Sequence, residues 1–340
     1  MSRNLMNING PLPAGAPPSL RLLVEGKLTV AQFRAMRPLP ENAQKLIDDS
    51  VIRVGLDRLQ VTADILSAGL TYDIGQSFWG VTQLQWDMQS EAGGAKRTME
   101  PRARGENFIV DRTPTVIPVY LTWDTFELGI RTLAASQRGG GLPLDTTLIE
   151  QATRRVNEAI EDATINGIPT PVFGSTVYGL LNAPNANAYQ YAGGEAWDAA
   201  GKTGQEILTD VLAMVALAVA DKHYGPYNLY INTAYDIALN KNWSDGVTTF
   251  PITVRQRLEQ MTFGGRNLMV KVADQLPANR TVLVQMTKDV VDIVTGQEPT
   301  VISWDQDGGL GMNWIVLACM IPRVKTTYTS QSGIVTGNTV

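Results

Sequence analysis

Asp145-Thr146-Thr147-Leu148-Ile149-Glu150-Gln151-Ala152-Thr153-Arg154-Arg155-Val156-Asn157-Glu158-Ala159-Ile160-Glu161-Asp162-Ala163-Thr164-Ile165-Asn166-Gly167 is the stretch that decides the architecture. Leu148, Ala152, Val156, Ala159, Ile160 and Ala163 recur at three- and four-residue steps, which places them on one face of a helix. Asp145 reads as its N-cap and Gly167 as its terminator. Glu150 with Arg154, and Arg154 with Glu158, stand four residues apart and support the outer face. At 1.5 Å per residue the helix spans about 32 Å, a length suited to a mechanical spine.

Upstream of the spine the period changes. In Leu84-Gln85-Trp86-Asp87-Met88-Gln89 large apolar residues alternate with polar ones, the mark of a half-buried strand. Glu91-Ala92-Gly93-Gly94-Ala95-Lys96-Arg97-Thr98 has nothing to bury and reads as a loop tip. A return strand is expected at Asn107-Phe108-Ile109-Val110-Asp111. A two-stranded ribbon is marginal alone in water, so it makes sense lying on a neighbour. A further strand is expected over 116–123, with Ile117, Val119, Leu121 and Trp123 on one face. A helix is then expected over 124–136, capped by Asp124 and broken at Gln137-Arg138-Gly139-Gly140-Gly141. Residues 1–40 are rich in Pro and Gly and read as an arm. Residues 41–66 carry a partial helical stripe.

Downstream, 170–200 is loop-rich. Residues 203–221 read as a helix with Ile207, Leu208, Val211, Leu212 and Val215 inward. Strands are expected at 228–232, 268–272, 281–286, 290–294, 300–304 and 312–325, and helices at 233–241 and 253–261. The tail, 326–340, is polar and reads as loose.

Composition narrows function. The chain has 340 residues, 44% apolar and 18% charged. So few charges, against roughly 25% in ordinary soluble domains, fit a surface covered by neighbouring subunits. The net charge is −5 and no block of Lys or Arg stands out. A dedicated nucleic-acid binder is therefore not indicated. Cys319 is the single cysteine and reads as a small core hydrophobe, in keeping with a reducing cytosol. No apolar run approaches the ~20 residues that span a bilayer, and the first residues lack a signal-peptide core, so a cytoplasmic, membrane-free protein is expected.

Reactive constellations are scarce. The single histidine, His223, lies in a helix-end sequence, where it reads as a cap or dipole partner rather than a general base. No metal motif, phosphate-binding P-loop, dinucleotide fingerprint or hydrolase elbow is found. Gly139-Gly140-Gly141 reads as a hinge, because Leu142-Pro143-Leu144 separate it from the helix. Asp48-Asp49 and Glu161-Asp162 read as solvated helix faces. Asp305 and Asp307 read as a turn between strands rather than a calcium loop. The seven tryptophans do not alternate with basic residues and read as core and interface packing. No catalytic residue, cofactor or metal is expected.

The order of Ile117-Pro118-Val119-Tyr120-Leu121-Thr122-Trp123, a Gly-rich break, the long helix ending Glu161-Asp162-Ala163-Thr164-Ile165-Asn166-Gly167, and Val177-Tyr178-Gly179-Leu180-Leu181-Asn182 resembles the tailed-phage major capsid proteins and the related encapsulins. Glu161, Asp162, Ile165, Gly167, Gly179 and Leu180 occupy the places of that family's helix ending and Gly-Leu loop. The resemblance implies an α+β fold. Its parts are an N-terminal arm (1–40), an N-terminal helix region (41–68), an extended β-hairpin loop (69–115) and a peripheral domain (116–200) with its spine helix (145–166). An axial domain (201–311), a long strand returning to the peripheral domain (312–325) and a C-terminal tail (326–340) complete it.

The implied function is self-assembly into pentamers and hexamers of an icosahedral shell around double-stranded DNA, as part of a virion. Scaffold, portal and decoration proteins are the further partners implied. Assembly residues are then Gly93, Gly94, Lys96 and Arg97 at the loop tip, and Asp145, Val156, Ile160 and Gly167 on the spine. Some members cross-link a loop lysine to a neighbour's asparagine; Lys96 stands near the tip, and a solvated charge is its plain reading. Two alternatives stay open: an encapsulin compartment with an enzyme cargo, and an uncharacterised enzyme. The Pro-rich start favours the phage capsid.

Overall fold

Trp314, Val316, Ala318 and Met320 alternate along one strand with Ile315, Leu317, Cys319 and Ile321. Both sets are apolar, so both faces of that strand need cover. The fold that supplies the cover is that of a computed structural model, which describes residues 60–90, 111–129, 131, 144–172, 174–244, 248–306 and 311–339.

In chain order the helices are α1 (Val61–Ser67), α2 (Leu144–Asn166), α3 (Gly204–Ala220), α4 (Thr233–Leu239) and α5 (Val254–Glu259). The strands are β1 (Thr71–Asp73), β2 (Gln83–Gln89), β3 (Arg112–Pro118), β4 (Thr122–Gly129), β5 (Ile168–Val172), β6 (Ser175–Val177), β7 (Asn187–Gln190), β8 (Tyr227–Ile231), β9 (Asn242–Ser244), β10 (Thr249–Thr253), β11 (Thr262–Phe263), β12 (Arg266–Asn267), β13 (Met269–Val272), β14 (Thr281–Gln285), β15 (Val291–Gln306), β16 (Gly311–Val324) and β17 (Ile334–Asn338). Two larger sheets carry the body, in the orders β1-β15-β16-β4 and β13-β8-β14-β17-β7.

β16 is the strand with two buried faces. Trp314, Val316, Ala318 and Met320 join Ile149, Ala152, Val156 and Ile160 of the spine α2 in one core. Cys319 and Ile321 face a second core with Phe78, Ile117, Val119 and Val177. Burial pushes the Cys319 thiol up to about 12, which leaves it inert. The five-stranded sheet is likewise two-faced. Tyr230, Val282, Val284 and Ile334 enter the spine core. Their sheet neighbours Leu229, Ile231, Leu283 and Val335 face a third core with Ile207, Val211 and Met214 of α3. The one sheet is thus a wall shared by two cores. The helices on its outer side are closed by their own side chains. Thr203 and Glu206 form a reciprocal capping box on α3, Thr253 and Gln256 another on α5, and Asn232 caps α4.

The structure corrects several sequence expectations. Residues 122–129 form strand β4 in place of the first part of the expected helix 124–136. The alternation Thr122, Asp124, Phe126, Leu128 faces inward, and Phe126 stacks on Trp314 across the sheet at 5.4 Å. The expected single face also divides, since Ile117 and Val119 are buried whereas Trp123 is 59% exposed. Strands 290–294 and 300–304 are one strand, β15, whose register shifts twice between Thr295 and Thr300. Among the described residues the ribbon's return strand pairs over Arg112–Pro118, and of the expected return strand 107–111 only Asp111 lies within them. Leu212 is exposed. Asp145 stands inside the first turn of α2, which begins at Leu144, so it is not the residue before the helix. β7 pairs with β17, so the second sheet recruits residues well before 201.

The largest correction is the tail. The described part of the tail, 326–339, is not loose, because β17 lies between β14 and β7, with Ile334 and Val335 fully buried. The arm 1–40, residues 41–59, the tip with Gly93, Gly94, Lys96 and Arg97, and Gly139–Gly141 lie outside the described residues.

Truncation after Ser330 is therefore expected to abolish soluble folded protein, because it opens the second sheet and uncovers two cores at once. Circular dichroism melting checks it; a loose tail would leave the melting curve unchanged.

Candidate functional site

Two places join the ribbon and the spine to the body. The first is the spine's C-terminal end. Gly167 has φ of +71°, the left-handed conformation that ends a helix. The free carbonyls of Thr164 and Ile165 accept the amides of Leu180 and Leu181, both at 2.9 Å. Gly179 sits against this end so closely that a Cβ there would meet the Ile165 carbonyl oxygen at 2.7 Å. The Gly-Leu loop is thus a backbone cap on the spine, which explains why both glycines are needed.

Glu161 anchors the same region. It is buried, not solvated as its position beside Asp162 implies, and it accepts from the amides of Val61 at 2.6 Å and Thr62 at 3.0 Å. The Thr62 hydroxyl adds a third bond at 2.7 Å. The spine therefore caps the N-terminus of α1 from 100 residues away in sequence. Burial outweighs these donors and raises the carboxyl above the usual range. Val156 and Ile160, five residues and one residue before Glu161 on α2, are packed in the core.

The second place is the ribbon base. β2 and β3 pair from Gln83 opposite Pro118 to Gln89 opposite Arg112. Burial fades along the ribbon: Ile117 is buried, Thr115 and Val116 are half-buried, and Arg112, Thr113 and Pro114 are exposed. Trp86 is half-buried at the point of departure. Beside it Arg323 and Asp292, directly opposed on β16 and β15, form a buried bidentate pair at 2.7 and 2.5 Å. Lys325 reaches the same carboxylate at 2.7 Å. The Arg323 guanidinium lies 4.7 Å from the Tyr72 ring centre and 5.3 Å from that of Trp86. A cavity of about 260 Å³ opens here, lined by Trp86, Met88, Ile117, Tyr178 and Pro322 among others.

A third surface is apolar and open. Leu121, at 36% exposure, and Trp123 border a hollow of about 420 Å³ against Ala159, Asp162 and Gly167 of the spine end. Exposed aromatic surface next to a rigid helix is what a subunit interface needs.

The chemistry candidates stay apart. Among the described residues no group of three His, Cys, Asp or Glu could hold a metal. His223 follows the helix end of α3, its amide bonded to the Ala218 carbonyl at 3.0 Å and its own carbonyl accepting the Tyr227 hydroxyl. Asp305 lies on β15, while Asp48, Asp49 and Asp307 are outside the described residues. No described helix is long and apolar enough to cross a membrane. Sequence reading missed the Glu161 cap and the Arg323 cluster. The only signals were a carboxylate on an otherwise buried helical stripe and an arginine inside an apolar strand.

A family model described as a family of unknown function, DUF6260, matches residues 39–337. No curated protein sequence matches. The virus-like particle from Pyrococcus furiosus is 16% identical with a TM-score of 0.60, covering 86% of this chain and 98% of that one. The capsid of Myoviridae phage XM1 is 14% identical at 0.59, covering 76% and 86%. The capsid of a native GTA particle is 14% identical at 0.56, covering 82% and 91%. The fold is the tailed-phage major capsid fold.

Replacing Glu161 by Ala strands two amides and a hydroxyl, and is expected to cost about 1–3 kcal/mol in urea unfolding. In the native chain the raised carboxyl binds its proton more tightly folded than unfolded. Its contribution is therefore fully present below the usual carboxylate range and is lost as pH rises through the raised value. Glu161→Gln is expected to remove that part of the stability–pH profile; an unchanged profile would contradict the cap.

Proposed function

The chain belongs to the DUF6260 family, and we propose that it is a major capsid protein, whose copies assemble into the icosahedral shell of a tailed phage. The observation that supports this best is the ribbon, a paired structure that leaves the body with its burial running out. It occurs on a fold whose solved relatives are named as capsids and a virus-like particle. Such an extension gains its stability from a surface outside the subunit.

In this reading the outer part of the 69–115 segment, beyond the ribbon base, lies over an adjacent subunit, with Gly93, Gly94, Lys96 and Arg97 at the point of contact, while its first residues, β1 and Phe78, stay in the body. The arm, 1–40, reaches further neighbours. The spine, from the first turn at Asp145 through Val156 and Ile160 to Gly167, carries load between the ribbon base and the axial part, which packs around five- and six-fold positions. The buried surface serves association rather than catalysis, so no enzyme activity, cofactor or metal belongs to the function. The shell encloses double-stranded DNA without sequence-specific contact, as a low overall charge allows. It is made in the bacterial cytoplasm and resides in the virion, with scaffold, portal and decoration proteins as further partners. A second reading, a compartment shell around an enzyme cargo, draws support from the likeness to the virus-like particle. Sequencing the nucleic acid or protein inside purified particles separates the two.

Deleting residues 93–104 tests the ribbon's role. The shortened subunit is expected to keep the melting temperature of the full chain and to form no closed particles by negative-stain microscopy. Normal particles from the shortened subunit would overturn it.

A further inference from the structure

The ribbon is joined to the body by more than its own backbone. Two large side chains of the outer half of β2 pack against the body: Met88, whose sulfur lies 4.0 Å from the Thr326 hydroxyl, and Trp86, which meets a cation there. That cation is itself fixed. Arg323 is 7% exposed, Asp292 3%, and the two share two parallel hydrogen bonds across neighbouring strands. A guanidinium held in this plane cannot follow the ribbon if the ribbon swings. Its other aromatic neighbour, Tyr72, belongs to β1, which pairs in register with β15. The body thus contributes Asp292, Lys325 and Tyr72, and the ribbon contributes one ring.

We propose that the Arg323 guanidinium, locked by Asp292 and resting against Tyr72 and Trp86, sets the angle at which the ribbon leaves the body, and through it the curvature of the assembled shell. The inference rests on the shell-forming reading. Arg323 is a positioning residue: it acts through Trp86. An apolar side chain at 86 would still bury surface, but a methylene group has no preferred face for a cation, so the angle would no longer be single-valued. A subunit with several ribbon angles closes into shells of several sizes or fails to close, because each contact in a symmetric lattice must repeat.

The test compares Trp86→Leu with Trp86→Phe in the full chain. In unassembled subunits, hydrogen exchange of the amides in 84–88 and 113–117 is expected to be about tenfold faster for Trp86→Leu. Amides of α3 and β14 should be unchanged. Trp86→Phe, which keeps an aromatic face, should restore most of the protection. In assembly reactions followed by electron microscopy, Trp86→Leu is expected to broaden the particle diameters and Trp86→Phe to return a single diameter. If Trp86→Leu gives no soluble subunit, Tyr72→Leu removes the other ring and carries the same expectation. Particles of native, uniform diameter from the leucine variants would overturn the clamp, as would equal loss in the leucine and phenylalanine variants. Absence of particles from the native chain would instead sink the shell reading itself.

Discussion

The double-sided burial of β16 is the constraint on which the rest of the structure hangs. A strand of 14 residues with apolar side chains on both faces cannot lie at a surface. One face needs the spine helix and the other needs the base of the ribbon. These two requirements fix where the 23-residue spine lies and where β2 and β3 leave the body. The five-stranded sheet repeats the logic on a second scale, since its two faces close two different cores. Rigidity follows from sharing walls. Moving the spine disturbs β16, and moving β16 disturbs the ribbon base.

Polar side chains and backbone groups hold the junctions that apolar packing leaves free to slide. Glu161 fixes α1 to the spine, the Gly179 loop fixes the spine's end, and Asp292 fixes Arg323. A similar centre lies in the other core, where buried Asp210 accepts from Tyr189, the Ala192 amide, the Trp197 indole and Lys202. Glu161, Asp292 and Asp210 are buried carboxyl groups with their partners supplied, the arrangement that gives a definite geometry rather than mere cohesion. A shell subunit needs definite geometry, because an error of angle is repeated at every copy.

Where period and chemistry agreed, the sequence was readable. The spine, its glycine terminator, the capped helix α3 and the long strand β16 all announce themselves through spacing, and the order of elements carried the resemblance to shell proteins. Where two signals competed, the louder one misled. Asp124 resembles a helix cap, yet its segment alternates at period two and pairs with β16. The register shifts around Gly296 broke the pattern of β15 and made one strand look like two. Ile334 and Val335 are two apolar residues in a polar tail, too short a signal for a strand whose burial is decided by sheet partners far away in sequence. Glu161 was unreadable for the same reason, since the amides it caps lie 99 and 100 residues away. The ribbon's strands were legible in kind, and the cation at their base was not, because nothing local marks an arginine as the neighbour of a distant tryptophan.

A wall-forming subunit and a reactive monomer differ most plainly in how the purified chain sediments. Analytical ultracentrifugation of the overexpressed 37.0 kDa chain at high concentration is expected to give one sharp, very fast boundary, that of closed particles of a single size. A single slow boundary at the mass of one chain, persisting across concentration, salt and pH, would contradict the account.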